Sequence, residues 1–533
     1  MKIKKRQNFS PAFLVCFLLI VPCSGIFAEN EFGLRLAPIV EVPIGLSQFS
    51  AGMGAEASFD WAFLTFAKKF GLGLSLGGAF ASLQVPVLGD SLALLGGKAG
   101  PFIRWRPFDR WSFDIGATVG VYQHSRKADS DTRGTFGGVL GAQFHLLPYL
   151  SLYAQGGYSY RFYDIRPLNS IEAALGMRLN LSEIMGGRAR VRVDKKEQYR
   201  VFPVSWAWYE HNPVAMVQIT NDEPNTIKDL NLAFFMDSFM SQPFTFASVP
   251  TLSPGESVDL PVTALFNEAM MSLTETVNAN GTIQMQYRSL GARKGTVVPV
   301  QMPIFHRNTL SWDDDRRAAA FVSPRDSSAR LFARYVAAAV ESRPKQGNTP
   351  DNVLYAAALF EALRLYGISY VVVPATSFAR VASDESVLDN VSYPYQALYY
   401  RGGDCSYLSI LFCSMLEALN IESAFITIPG HIYIAFNTGD AAWQAGNRNI
   451  IEIDGKRWLP VEITVPEEGF SRAWYIGARQ WQSNGGDAAL YPIREAWETY
   501  PSVTVPSSGA HLPEMPDWDD ILRALNTEQQ KMR

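Results

Sequence analysis

A cysteine at the start of an apolar helical pattern is the residue best placed to do chemistry in this chain. Cys405 follows Gly402, Gly403 and Asp404, and apolar residues recur after it at helical spacing: Leu408, Leu411, Phe412, Met415 and Leu419. Asp404 is suited to cap this helix, which puts Cys405 in the first turn. Free backbone N–H groups and the positive end of the helix dipole favour a thiolate there. The pattern therefore predicts a nucleophilic thiol.

A reactive thiol needs a base and a group that orients the base. His431 begins one alternating strand pattern, and Glu462 lies in a second one at 457–463. On adjacent strands both side chains would share a polar face against the start of the Cys405 helix. The three residues would then form a Cys–His–carboxylate site, in which Glu462 orients the imidazole. Gln396 is a candidate oxyanion donor, although a surface loop amide is an equally good interpretation.

Three short motifs around these residues resemble the transglutaminase-like superfamily of cysteine enzymes. They are Gly-Asp-Cys opening a helix, Pro429-Gly430-His431 opening a strand, and the run from Trp458 to Glu462; the lead-in 393–398 is also similar. The resemblance covers residues 306–485 and implies a papain-like α+β fold. It also implies action on protein or peptide amides through Cys405, His431 and Glu462. Many members carry Asp where this chain has Glu462, so the longer side chain requires a shifted strand.

The same residues permit other interpretations. Cys413 lies two turns further along the helix among Leu411, Phe412 and Met415, which indicates core packing. A degenerate enzyme domain could serve as a non-catalytic envelope scaffold or binding protein. Hydrolysis and cross-linking remain alternatives for an active enzyme. The sequence offers no phosphate-binding glycine loop and no metal-ligand spacing, so we expect no cofactor and no metal.

The composition places the chain among folded, multidomain proteins. With 533 residues it is long enough for roughly three or four domains. A hydrophobic content of 47% is typical of globular proteins. The net charge of −4 and the lack of a basic stripe argue against nucleic acid as a partner. The resemblance described above implies a protein or peptide substrate as a partner, and the barrel pattern described below implies outer-membrane lipid.

The N-terminal segment predicts export. Basic residues precede the apolar stretch 13–21, which is too short for a comfortable membrane span, and cleavage after Ala28 fits a signal peptide over residues 1–28. A lipoprotein anchor at Cys23 fits less well because Pro22 precedes it. Cleavage leaves Cys405 and Cys413, and their helical spacing of about 12 Å is too long for a disulfide.

Residues 29–182 predict a small β-barrel of the outer-membrane type. About eight strands alternate apolar with small or polar residues, and several are long enough to cross a bilayer. Tight turns such as Phe108–Arg110 alternate with longer links such as Ser125–Arg133. An even strand number would return the chain to the periplasm. A soluble barrel or a sandwich with an apolar core is the alternative.

The remaining chain divides into three parts. Residues 183–305 predict an immunoglobulin-like β-sandwich, with strands that include Val201–Trp208 and Ser257–Val262. Residues 306–485 combine helices with later strands, as an α+β domain does. Residues 486–533 predict a tail with a short terminal helix. The expected protein is thus held at the outer membrane by its barrel, with sandwich and catalytic domain in the periplasm.

Overall fold

The structure is a computed structural model that describes residues 31–66, 69–126, 129–163, 166–184, 189–344, 347–372, 387–440, 443, 450–505 and 515–532. The predicted signal peptide, 1–28, lies outside these residues. Within the described chain, no helix combines the length and the apolar character needed to cross a membrane.

Eight antiparallel strands form a closed barrel at the N-terminal end, in which the last strand pairs with the first. This confirms the predicted barrel and its strand number. The chain leaves the barrel through a short helix, α1 (Leu181–Ile184). The strands are β1 (Glu31–Ile44), β2 (Ser50–Phe66), β3 (Phe70–Val85), β4 (Asp90–Phe108), β5 (Trp111–Arg126), β6 (Asp129–Leu147), β7 (Leu150–Arg161) and β8 (Leu168–Asn180).

The barrel carries its charged residues inside and its apolar residues outside. In the lumen, Asp60 accepts ion pairs from Arg178 at 2.7 Å, Arg104 at 3.1 Å and Arg35 at 3.3 Å. Glu172 pairs with Lys98 at 2.6 Å in a second cluster. Outward-facing apolar side chains are exposed, among them Leu76, Leu95, Ile115, Val119, Leu140 and Leu175. A soluble barrel would have the opposite polarity, because its apolar residues would fill the interior.

Aromatic side chains cluster near both ends of the barrel exterior. At the end with the short turns, rings contact one another in a series: Phe32 with Phe59 and Trp61, Phe70 with Trp105, and Trp111 with Phe113 and Phe144. At the opposite end, Phe136, Tyr160 and Phe162 form a second group. Aromatic girdles at the two interfaces are typical of membrane-spanning barrels.

The predicted long link Ser125–Arg133 is wrong. Strand β5 extends to Arg126 and β6 begins at Asp129, and Ser125 pairs with Ser130 across the hairpin. The polar residues there belong to the ends of two long strands. Polar residues at the end of a long strand, beyond its apolar part, look like a loop when polarity is the only guide.

Residues 191–304 form two antiparallel sheets around a common core. A three-stranded sheet in the order β13-β10-β9 lies against a four-stranded sheet in the order β12-β11-β14-β15. Val217 and Ile219 of the first sheet pack with Leu232 and Met285 of the second. The strands are β9 (Val191–Gln198), β10 (Ala215–Asn221), β11 (Ile227–Phe235), β12 (Phe244–Leu252), β13 (Ser257–Val262), β14 (Val277–Ser289) and β15 (Ala292–Ile304). The immunoglobulin-like topology stays a prediction.

The predicted strand Val201–Trp208 is wrong, because most of this segment is a 3-10 helix at Pro203–Glu210. Its aromatic residues pack against the C-terminal domain. The Arg317 guanidinium lies over the rings of Trp208 and Tyr500, at 5.1 and 5.3 Å from their centres, and the two rings stack on each other at 6.1 Å. A tertiary interface therefore explains the apolar run that looked like a strand.

The C-terminal domain is built on a five-stranded antiparallel sheet in the order β22-β23-β21-β20-β24. Short strands and helices precede it: β16 (Thr309–Leu310), α2 (Ser327–Glu341), α3 (Asp351–Tyr366), β17 (Ser369–Tyr370), β18 (Asp389–Asn390), α4 (Pro394–Tyr400), β19 (Gly402–Gly403) and α5 (Cys405–Ala418). The sheet and its later helices are β20 (Ser423–Ile428), β21 (His431–Asn437), β22 (Ile451–Ile453), β23 (Lys456–Val461), α6 (Phe470–Asn484), β24 (Ala489–Pro492), α7 (Ile493–Thr499) and α8 (Trp518–Met532).

The core of this domain extends past residue 485. Strand β24 completes the sheet, and Ile521 and Leu525 of α8 are fully buried in the same core as α5. Glu528 of α8 accepts the N–H of Ser471 at 2.7 Å, and Glu361 of α3 accepts that of Phe470 at 3.0 Å. These carboxylates cap α6, which starts after Gly469 and lacks a capping side chain of its own. The predicted terminal helix is confirmed, and it belongs to the domain.

Candidate active site

Cys405 is the first residue of α5, as the sequence predicts. Asp404 caps the helix by accepting the backbone N–H groups of Ser406 and Tyr407 at 3.0 and 3.1 Å. Almost every residue of α5 is buried, so the helix is held on all sides by the domain core. The thiol therefore stands at a fixed position at the end of a central helix.

His431 and Glu462 meet as predicted. Nε2 of His431 lies 2.7 Å from Oε2 of Glu462. The other carboxylate oxygen accepts the N–H of Thr464 at 3.0 Å and its hydroxyl at 2.6 Å. Because Nε2 is engaged by the carboxylate, Nδ1 is the nitrogen left to exchange a proton with a substrate or thiol. The longer glutamate therefore reaches the imidazole in this fold.

Helix α6 fixes the position of Glu462 through its backbone. The Glu462 N–H donates to the carbonyl of Ala473 at 3.1 Å. One turn later, a Cβ atom at Gly477 would lie 3.1 Å from the Glu462 nitrogen, so the close approach of α6 to β23 favours glycine. The sequence reasoning missed both contacts, and the small residues of α6 were the one available signal.

The prediction that His431 and Glu462 share a polar face of the sheet, turned toward the Cys405 helix, is wrong. The face that carries Tyr433 and Trp458 is fully buried, and Trp481 of α6 packs against it. Helix α5 instead shares a core with Ile432 and Ile434 on the opposite face. His431, where β21 begins, stays partly exposed, whereas Glu462, just past the end of β23, is 1% exposed.

The environment of the thiol differs from the expected one. Cys405 is 4% exposed, and burial, followed by the nearby Asp404 carboxylate, raises the pKa of its thiol to about 12. The Ile432 N–H acts against this by hydrogen bonding to the sulfur, while Glu462 adds to the increase. Desolvation thus outweighs the helix dipole. The resting group is a neutral thiol beside the first residues of β21, and it needs a base in order to react.

Gln396 serves as a helix cap in the structure. Its side-chain oxygen accepts the N–H of Tyr393 at 2.9 Å and the amide of Asn308 at 2.7 Å. Both contacts fix the start of α4 next to the segment 306–310. The oxyanion role stays a prediction that these contacts do not support.

Asp389, a buried carboxyl group near Asp404, was not recognised in the sequence, and Asp404, expected only as a helix cap, is buried as well. Asp389 accepts the indole N–H of Trp312 at 2.8 Å, and burial, opposed by this bond and assisted by Asp404, raises its pKa to about 6. One oxygen of Asp404 is buried without a hydrogen-bond partner among the described residues. No sequence signal links positions 389 and 404, because the pairing of β16 with β18 brings the former into the domain.

Cys413 is fully buried in the core around α5. Burial raises the pKa of its thiol above the ordinary value. Both cysteines are free thiols. The described residues contain no group of three or more histidine, cysteine, aspartate or glutamate side chains that could hold a metal ion.

Solved structures similar to this chain are small barrel proteins. Neisserial surface protein A (NspA) is 12% identical over 28% of this chain and 96% of that chain, with a TM-score of 0.22. Ail, the attachment invasion locus protein of Yersinia pestis, is 18% identical over 28% and 99%, with a TM-score of 0.20. The N-terminal β-barrel domain of Pseudomonas aeruginosa OprF is 13% identical over 28% and 99%, with a TM-score of 0.18. The barrel itself is established by its strand pairing.

No family model and no curated protein matches the chain. The molecule is thus defined by its own geometry as an eight-stranded closed barrel followed by a β-sandwich and an α+β domain. The resemblance of the last domain to transglutaminase-like enzymes stays a prediction.

Proposed function

We propose that the C-terminal domain is a thiol enzyme that transfers or hydrolyses acyl groups of protein or peptide amides. The observation that carries this proposal is the 2.7 Å bond between His431 and Glu462. It lies beside a cysteine whose sulfur faces the backbone N–H of Ile432, the residue after His431. A nucleophile, a base and a group that orients the base are the parts that covalent acyl transfer needs.

In the proposed reaction, the Cys405 sulfur attacks the carbonyl carbon while its proton passes to Nδ1 of His431. Because the thiol is neutral at rest, proton transfer accompanies formation of the S–C bond. The Cys405 N–H at the helix start stabilises the oxyanion. The intermediate then expels ammonia or an amine, which takes the proton from His431, and leaves a thioester. Water or a second amine attacks the thioester, and the thiol is restored.

The function is tested with the whole protein in detergent. A glutamine-containing peptide and hydroxylamine serve as substrates, so that hydroxamate reports acyl transfer and free carboxylate reports hydrolysis. We expect product from the wild type and none from Cys405→Ala or His431→Ala. Cys413→Ala is the matched control and should retain activity. Equal product from wild type and Cys405→Ala would refute the proposal.

We also propose that the barrel anchors the protein in the outer membrane. Its charged lumen, apolar exterior and two aromatic clusters support this. Both ends of the barrel chain, Glu31 and Asn180, lie at the end with the short turns. The sandwich and the enzyme domain would therefore follow on that side, in the periplasm.

The membrane topology is tested with two protease-sensitive tags. One is inserted at Val87, which is 85% exposed in the opposite link Pro86–Leu88, and the other at the C-terminus. Protease added to intact cells should cut the first tag and spare the second. Protection of both tags in a protein that is soluble after lysis would contradict the anchor.

A non-catalytic scaffold is the second candidate function, and the buried thiol favours it. At 4% exposure and with a raised pKa, Cys405 is less accessible than a free surface thiol. A folded wild type without turnover on any amide or ester, together with retained binding to a peptide, would establish this alternative.

A further inference from the structure

Tyr370 reaches the site on a strand that no sequence motif marks. Strand β17 pairs in parallel with β19, and this pairing puts Tyr370 opposite Gly403, two residues before Cys405. The Val371 N–H donates to the Gly403 carbonyl at 2.9 Å, which fixes the register on the far side of Tyr370. The tyrosine is therefore attached to the same backbone segment that leads into the nucleophile.

The phenol of Tyr370 lies among the reacting groups. Partial burial, followed by the charge that Cys405 carries as a thiolate and those of Asp404 and Glu462, raises the pKa of this phenol, so the hydroxyl keeps its proton at neutral pH. Within the described chain this hydroxyl has no hydrogen-bond partner. Tyr370 is 41% exposed whereas Cys405 is 4% exposed, so the ring borders the solvent from which a substrate must arrive.

Acyl transfer needs a donor of this kind. The attacked carbonyl becomes an oxyanion, and the Cys405 N–H supplies one hydrogen bond to it. Gln396, whose side-chain N–H group was the donor expected from sequence, accepts the Tyr393 N–H with its oxygen and so lies fixed at the start of α4. We propose that the Tyr370 hydroxyl is the second donor to the oxyanion. The phenol donates a hydrogen bond and transfers no proton, so the reaction remains balanced as written above.

This inference rests on the proposed function, and its test separates the two. In full-length protein, acylation by p-nitrophenyl acetate is followed as a burst of p-nitrophenol, and alkylation of Cys405 by iodoacetamide is followed by mass spectrometry. Acylation forms an oxyanion, whereas alkylation at a saturated carbon forms none. Tyr370→Phe should therefore lower the acylation rate about 10²–10³-fold and leave KM and the alkylation rate within about twofold. Tyr399→Phe, an exposed tyrosine of α4, is the matched control.

Each other outcome overturns the inference. Acylation of Tyr370→Phe at the wild-type rate would remove Tyr370 from the chemistry while leaving the proposed function intact. An equal loss of acylation and alkylation would mean that the hydroxyl positions the thiol. A wild type that acylates no faster than Cys405→Ala would refute both the inference and the proposed function.

Discussion

The barrel lumen and the thiol site both bury carboxylates, but they treat them differently. In the lumen, Asp60 meets three arginines, and each guanidinium lies within 3.3 Å of it. In the C-terminal domain, Asp389 and Asp404 have no ion pair within the described ranges, and burial raises the pKa of both. Paired charges fill and stabilise a closed interior. Burying an unpaired carboxyl group costs free energy of folding, and the fold alone does not require it.

This difference suggests separate roles for the two regions. Ion pairs cross the lumen, and two cavities there measure about 70 and 20 Å³, which fits an anchor rather than a wide channel. The thiol site holds a nucleophile and several carboxyl groups close together, and all of them are buried. Substitutions in the two regions test whether ion-paired carboxylates serve stability and unpaired ones serve function.

The largest expected effect is the difference in alkylation rate between the two thiols of α5. Cys405 should be alkylated by iodoacetamide at a rate that rises with pH beyond the ordinary thiol pKa of about 8.5, because its raised pKa delays thiolate formation. Cys413 should react only after unfolding, at least about 10³-fold more slowly. Peptide mapping over time measures both. Rapid reaction of Cys405 below pH 7 would instead indicate a preformed ion pair.

Glu462→Gln should lower turnover about 10²–10⁴-fold with little change in circular dichroism. The amide keeps the size of the side chain but removes the charge that stabilises imidazolium. Glu467→Gln, an exposed neighbour in the turn Pro466–Glu468, is the control. Unchanged turnover in Glu462→Gln would mean that the 2.7 Å bond is structural only.

Asp60→Asn should destabilise the barrel by about 3–5 kcal/mol, because three arginines lose their shared partner. Denaturant titration in lipid vesicles, read from tryptophan fluorescence, measures this loss. Asp109→Asn, in the turn between β4 and β5, should change stability by less than about 0.5 kcal/mol. Equal effects of the two substitutions would remove the distinction drawn for the lumen.

The smallest expected effect is a pH dependence from Asp389. Its folded pKa of about 6 lies above the ordinary value of 3.8, so the folded state binds the proton more tightly. Stability is then highest below pH 4 for this group and falls as the pH rises through 6, by on the order of 3 kcal/mol at most. Asp389→Asn should flatten this slope in thermal unfolding of the whole protein, whereas the exposed Asp487→Asn should not.

Local patterns were enough to predict several elements. Alternation in strands such as Trp111–Arg126 reports which side faces lipid, because side chains of a strand alternate between two environments. The cap at Asp404 and the start of α5 at Cys405 depend on four neighbouring residues. In each case the residues that predict the element lie close together in the sequence.

Other features depended on contacts between distant segments. Most of the run Val201–Trp208 became a 3-10 helix because Trp208 packs on Arg317 and Tyr500. The bond between His431 and Glu462 needed the register of β21 with β23 and the support of α6. The positions of Asp389 and Tyr370 beside the thiol depended on two short strand pairs that carry no pattern.

The sequence by itself thus determined the kinds of elements and the candidate nucleophile, base and orienting acid. The tertiary structure decided the ionisation of that nucleophile. A helix start favours a thiolate through a short-range dipole, but burial in the core around α5 removes the water that would solvate the charge. Desolvation depends on every segment packed around a group, and so only the folded chain sets it.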